Sequence, residues 1–200
     1  MSEKLLGNLS KGLVFVLSAP AGTGKTTLVR MLRSEFPCVT ESISCTTRPI
    51  RAGEVDGVDY IFLSPEEFNR KIKAGDFLEH AKVFNHEYGT SQDYVHQKQI
   101  EGKHVFLVID TQGAMQLMKS KFPAIFVFVS PPSLVELKAR LFKRQTETQE
   151  VIEQRLNWAR EEIKMAAHYD YHIVNDNLQI AYDILRSIVI AEEHRYRRKI

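Results

Sequence analysis

The chain has 200 residues, 44% of them hydrophobic and 26% charged, an ordinary globular composition that suits one core with inserted subregions. Lysine and arginine number 27 against 25 aspartates and glutamates, a formal charge of +2, so no global field draws the protein to nucleic acid or an acidic membrane surface. Met1 to Leu13 holds no long apolar run and is read as neither a signal peptide nor a membrane span, and two cysteines, Cys38 and Cys45, make no disulfide framework, so reduced thiols in a cytoplasmic protein are expected.

In chain order, Leu13 to Ser18 is a short β-rich run with apolar residues on both faces, as in a strand buried within a parallel sheet. A glycine-rich turn follows. Lys25 to Glu35 then has helical spacing at Leu28, Met31 and Leu32. From about Cys38 to Thr90 turn residues are more frequent, with strand-like runs at Tyr60 to Leu63 and Leu78 to Phe84. Ser64-Pro65-Glu66-Glu67 is a helix start, with a serine cap, proline in the first helical position and glutamate three residues after the cap.

Lys103 to Asp110 is a second buried strand and Thr111 to Lys121 its helix. Ala124 to Ser130 is a third strand, and a helix starts at Ser133. Arg140 to Arg155 is charged and polar and reads as a mobile surface segment between two helices. Tyr171 to Asn175 is a short strand and Leu178 to Arg198 a long closing helix. The alternation predicts an α/β protein with a parallel central sheet flanked by helices in three layers.

Ser18-Ala19-Pro20-Ala21-Gly22-Thr23-Gly24-Lys25-Thr26-Thr27 follows a predicted strand and opens a helix, the setting a phosphate-binding loop requires. Backbone N–H groups from Ala19 to Thr27 can converge on phosphate oxygens, and the helix N-terminus favours an anion. Lys25 would reach the β- and γ-phosphates of ATP, and the Thr26 hydroxyl would bind Mg²⁺. Ala19 replaces the first glycine of G-x-x-x-x-G-K-T, which costs little if φ there is negative.

A phosphate loop alone does not choose among kinases, GTPases and ATPases. In Ser42 to Glu54, Arg48 and Arg51 flank a proline turn and Tyr60 follows. Two guanidiniums and a phenol can clamp a monophosphate, although a basic turn alone is more often simply solvated.

Ser44-x-Thr46-Thr47-Arg48-x-x-Arg51-x-Gly53-Glu54 and Gly57-x-Asp59-Tyr60 resemble the GMP-binding region of guanylate kinases. The likeness continues through Phe77-Leu78-Glu79-His80-Ala81, Tyr88-Gly89-Thr90-Ser91, Ile109-Asp110-x-Gln112-Gly113, Pro131-Pro132-Ser133, Arg140-Leu141 and Ile173-Val174-Asn175-Asp176. It runs from about Leu13 to the C-terminal helix.

The resemblance implies a P-loop fold carrying an inserted mixed α+β GMP-binding region and a helical lid. The expected division is a core at about 11–37, 91–135 and 156–200, a GMP-binding region at about 38–90 and a lid at about 136–155. The GMP pocket would comprise Ser44, Arg48, Arg51, Glu54, Tyr60, Glu79, Tyr88, Thr90 and Asp110. Arg48, Arg51 and Tyr60 would hold the phosphate, with Tyr88 near it, while Glu79 and Asp110 would face the base.

That division has physical support. Guanine presents N1–H and N2–H₂ donors that call for carboxylate acceptors, and its O6 calls for a hydroxyl such as Ser44 or Thr90. Adenine has the opposite pattern on that edge and would leave the carboxylates unpaired. Taken singly, either carboxylate would more often be a helix cap or a solvated group.

By the same resemblance Arg140, Arg144 and Arg155 are lid arginines that close over the triphosphate, and Asn175 joins the adenine pocket. The expected reaction is MgATP plus GMP, with dGMP as a second acceptor, giving ADP and GDP for purine nucleotide recycling. Lys25, Arg48 and the lid arginines would stabilise the charge in transfer. The substrates are small molecules, with no nucleic acid or membrane partner and a monomer or homodimer expected.

The chain departs from the family pattern at Ala21, where serine is common, at Val108, where aspartate is common, at Lys143-Arg144-Gln145 in place of Gly-Arg-Gly, and at Asn177. No histidine pair has trusted metal spacing, since a helix end is predicted between His168 and His172. The competing expectation is a catalytically weak guanylate-kinase-like module that binds protein; the intact Gly24-Lys25-Thr26 argues against it.

Overall fold

The computed structural model describes residues 4–83, 85–143 and 149–195. Strand β1 (Val14–Ser18) lies at the centre of a five-stranded sheet. Its partners β7 (His104–Val108) and β8 (Ile125–Ser130) run parallel to it; β2 (Val39–Glu41) and β9 (Tyr171–Val174) form the edges, also parallel.

Alternation along the strands builds the layers, because successive side chains leave a strand on opposite faces. Phe15 and Leu17 enter one core with Phe106, Val127, Val129 and the inner faces of α1 (Lys25–Glu35) and α7 (Leu178–Glu193). Val14 and Val16 enter the other with Val105, Leu107 and α4 (Thr111–Lys119), joined by Val95 of α3 (Gln92–Ile100). Apolar faces on both sides explain why β1 reads as a continuous hydrophobic run.

A second, four-stranded sheet has the order β4-β3-β6-β5. It comprises β3 (Cys45–Thr46), β4 (Ile61–Phe62), β5 (Phe77–Val83) and β6 (His86–Ser91). Helix α2 (Pro65–Ala74) packs Phe68 against Phe77, rings 4.7 Å apart. Its Ser64 cap accepts from the Glu67 N–H while Glu67 reaches back to the Ser64 N–H, the reciprocal box the sequence implies.

Three differences from the sequence reading concern short or partnered elements. Strand β2 lies within the stretch expected to build the insert, yet it pairs with β7 in the central sheet. A three-residue strand carries no readable period. The polar β6 and helix α3 were not foreseen, because β6 takes its register from β5 rather than from an apolar face of its own.

The charged stretch 140–155 is helical wherever described, with α5 (Leu134–Lys143) on one side and α6 (Gln149–Lys164) on the other. Leu137, Leu141, Ile152, Leu156 and Ala159 form a small core between them. A helix pair buries only these apolar positions and leaves the charged ones outside, which is why the composition resembles a loop.

Candidate active site

The turn after β1 sits at the C-terminal edge of the sheet and opens α1, where open α/β sheets hold ligands. Gly24 at φ 97° is the residue before the helix and no side chain caps it, leaving the first-turn N–H groups to an incoming anion. Only glycine fits there without strain, and a Cβ would stand 2.7 Å from Asn175 Nδ2. Lys121 is the only described non-glycine residue at positive φ, so Ala19 takes the place of the first glycine at no backbone cost.

Thr23 Oγ1 donates to the Pro20 carbonyl, and Asn175 Nδ2 donates to the Thr23 carbonyl at 2.7 Å. The first closes the loop on itself and the second ties it to the residue after β9. Lys25 Nζ donates to the Ala19 carbonyl, and Thr26 is exposed at the first turn of α1. The loop thus presents the ammonium, the hydroxyl and the helix N-terminus on one edge.

The second half of the site belongs to the small sheet. Arg48 follows β3 and is 7% exposed. Its Nη2 donates to both Glu54 oxygens at 2.7 and 3.0 Å, Nη1 donates to the Pro49 carbonyl at 2.7 Å, and the guanidinium lies 5.3 Å from the Tyr60 ring centre. The bond from Arg48 holds the Glu54 carboxyl below the ordinary range, with burial opposing and the Arg51 N–H helping. The Tyr60 and Tyr88 rings meet edge to face at 6.0 Å. Arg51 is exposed; its backbone N–H donates to the Glu54 carboxylate at 2.9 Å, and its carbonyl accepts from the Glu54 N–H at 3.1 Å.

Glu79 of β5 is 5% exposed and accepts from Thr90 Oγ1 of β6 at 2.6 Å. Burial pushes its carboxyl up to about 7, with the Thr90 bonds opposing and the Asp110 charge adding to the rise. The carboxylate lies against the first turn of α4, where a Cβ on Gly113 would stand 2.2 Å from Glu79 Oε2. Gly113 is therefore what admits the acid. Asp110 caps α4, accepting from the Gly113 N–H at 3.0 Å and from Gln112 Nε2 at 3.0 Å. It is both the helix cap that a lone aspartate suggests and a neighbour of Glu79.

Two cavities mark the space. One of about 490 Å³ is lined by Ser44, Glu54 and Tyr60 on the insert side and by Thr26 and Tyr94 on the core side. The other, about 140 Å³, lies at the phosphate loop between Ala19, Ala21, Lys25, Asp110 and Arg155. Of the expected residues, Thr26, Ser44, Glu54 and Tyr60 line the first cavity and Ala19, Ala21, Lys25, Asp110 and Arg155 the second, while Arg48, Arg51, Glu79, Tyr88, Thr90, Arg140 and Asn175 line neither.

The guanylate kinase family model matches residues 11–192, nearly the whole chain. The chain belongs to the guanylate kinase family. A guanylate kinase of Protochlamydia amoebophila is 56% identical over 97% of this chain and 98% of that protein. One from Chlamydia trachomatis serovar D is 47% identical over 98% of each. The crystal structure of guanylate kinase from Anaplasma phagocytophilum superposes with a TM-score of 0.75 at 34% identity, covering 92% of this chain and 88% of that one.

In this family member helix α5 is tied to the core. Arg140 Nη1 donates to the Asn175 carbonyl at 3.0 Å, and its Nε to Glu136 at 2.9 Å. Asn175, 4% exposed, bridges the phosphate loop and helix α5. Arg144 lies outside the described residues. Val108 is half-buried and borders the larger cavity beside Glu41, whose carboxyl burial raises while Arg33 and Arg30 lower it.

Sequence reasoning missed Glu41, Arg30, Arg33 and Tyr94 at the larger cavity and Trp158 and Glu162 at the smaller. The first set had no local signal. The second had one: Arg155, Trp158 and Glu162 stand at i, i+3 and i+7, one face of a helix. Burial pushes the Glu162 carboxyl up to about 7, with Lys25 drawing it down and Asp110 adding to the rise.

Proposed function

We infer that the protein is an ATP:GMP phosphotransferase, moving the γ-phosphate of ATP to GMP to give ADP and GDP. The observation that carries this is a glycine-bounded phosphate loop linked through Asp110 to a buried carboxylate–hydroxyl pair, Glu79 with Thr90, in a chain of the guanylate kinase family: Asp110 lines the loop's cavity and its charge acts on Glu79.

The loop from Ala19 to Thr27 binds the β- and γ-phosphates through its N–H groups and the Lys25 ammonium, which leaves the Ala19 carbonyl for a phosphate oxygen. Arg48, Arg51, Tyr60 and Tyr88 hold the GMP phosphate. Glu54 positions the Arg48 guanidinium meanwhile. Glu79, once ionised, and Asp110 accept from the guanine N1–H and N2–H₂, while Ser44 serves O6 and Thr90 holds Glu79 in place. Apposing the two phosphates supplies much of the rate through proximity. Arg140 and Arg155, with Arg144, offset charge on the transferring group and exclude water. A GMP phosphate oxygen attacks directly, so no protein nucleophile is used.

The donor set suits Mg²⁺. That ion binds through one or two protein oxygens, with phosphates and waters completing an octahedron, and Thr26 offers a hydroxyl where the triphosphate would lie. When bound, the ion would neutralise charge on the β- and γ-oxygens. We further propose dGMP as an acceptor, a monomer or homodimer, and cytoplasmic residence, which suits the two free cysteines. No helix among the described residues is long and apolar enough to cross a membrane.

The test is ADP formation from MgATP with GMP, dGMP, AMP, UMP and CMP in turn. Fast turnover with GMP alone or with GMP and dGMP is expected. A folded protein that turns over none of them would sink the assignment and redirect attention to a protein ligand in the Arg48 cleft.

A further inference from the structure

Glu162 is the one acid of the phosphate-loop cavity that the transfer described above leaves without a task. It is 6% exposed on α6 and lines the same cavity of about 140 Å³ as Lys25, Asp110 and Arg155. The charges that act on it are the Lys25 ammonium, favourably, and the Asp110 carboxylate, unfavourably. Arg155 precedes it by two helical turns, so both project from one face of α6 toward the loop.

A carboxylate buried beside an anion-binding loop is costly in two ways. It loses hydration, and it repels the phosphates the loop exists to bind. An apolar side chain at this position would avoid both costs, as Leu156 and Ala159 do elsewhere on the same helix. What the carboxylate adds is a fixed counter-charge across the cavity from a flexible ammonium. Lysine is a point charge on a four-carbon stem, with three donors and no preferred plane. The Ala19 carbonyl fixes one of its directions in this structure. A second fixed acceptor narrows the rest.

We propose that Glu162 is a positioning residue for phosphoryl transfer: facing Lys25 from the same side of α6 as Arg155, it sets where the ammonium lies over the phosphate loop. The inference rests on the reading of Lys25 as the lysine that meets the ATP phosphates. Because the acid opposes the incoming phosphates while orienting the ammonium, it favours turnover over ground-state affinity. It also ties the lid-bearing helix to the loop by charge, so the arginine and the lysine reach the same phosphoryl group in register.

The experiment compares wild type, Glu162→Gln, Glu162→Asp and Lys25→Ala, each with saturating GMP and varied MgATP, alongside thermal unfolding. Wild-type turnover tests the assignment itself, whereas the variants test this inference. Glu162→Gln is expected to lower kcat about tenfold with the KM for ATP unchanged or lower and no loss of thermal midpoint, since a buried charge is removed. Glu162→Asp, which keeps the charge, should lose less. In the Lys25→Ala background the same Gln change should alter the residual single-turnover rate by less than about twofold, because both act through one group. The proposal is overturned if kcat stays within about twofold of wild type, if kcat falls only together with the thermal midpoint, or if the loss persists in full without Lys25.

Discussion

The two halves of the active site are built by opposite means. The phosphate loop is mostly main chain: its N–H groups, its two positive-φ glycines and the Thr23 and Asn175 bonds present a surface shaped for any triphosphate. The acceptor half is mostly side chain, with Arg48 held by Glu54, and Glu79 held by Thr90 beneath a glycine that leaves it room. The first rests on a strand buried on both faces, the second on a small sheet whose longest strands are only partly buried. A backbone site is general and rigid; a side-chain site is selective and carries titratable groups that respond to pH.

The largest break in that comparison is on the donor side. Lys25→Ala should lower kcat by about 10³-fold or more, while GMP affinity measured by calorimetry stays within about threefold because the acceptor half is untouched. On the acceptor side, Glu79→Gln should cut kcat/KM for GMP by about 10²-fold and leave the KM for ATP alone. The same variant should be no less stable than wild type at pH 8, since it removes a buried charge with no cationic partner in its contacts. Equal loss toward both substrates would show that the halves are not separable.

A smaller effect sharpens the picture. Glu54→Gln leaves Arg48 buried without its ionic partner, so the KM for GMP should rise about tenfold with kcat less affected. Steady-state kinetics at fixed saturating ATP would read this, and an unchanged KM would mean that Tyr60 and the Pro49 carbonyl suffice to place the guanidinium.

The smallest effect is on stability. Glu79 and Glu162 both have carboxyls raised to about 7 in the folded protein. Between the ordinary carboxylate range and about 7 the folded chain holds protons the unfolded chain has released, so their contribution to stability falls as pH rises through that window. The thermal midpoint should fall as pH rises through that window, and Glu79→Gln should flatten part of that slope. Guanine favours the ionised acid, so saturating GMP should flatten it as well.

Local patterns made much of this legible. The capping box at Ser64 and the strand–loop–helix at Ser18 to Lys25 each write their geometry within ten residues, and each was readable for that reason. Glu79 was found only through a pattern spread along the chain. By itself it is one acid in a short strand, and its partner Thr90 stands eleven residues away across a hairpin. Tyr94 and Glu41 escaped altogether, since nothing beside them in sequence distinguishes them from solvated residues, and Glu162 showed only as one face of a helix with Arg155 and Trp158.

The sequence determined by itself whatever depends on neighbours along the chain: the α/β rhythm, the phosphate loop, the caps and the family. Tertiary structure alone decided which polar side chains are buried together. It put β2 in the core sheet, made a helix pair of a charged segment, let Gly113 make way for Glu79 and set Glu162 and Lys25 on one cavity. Burial and charge pairing are sums over residues that meet only after folding, and no window of sequence contains them.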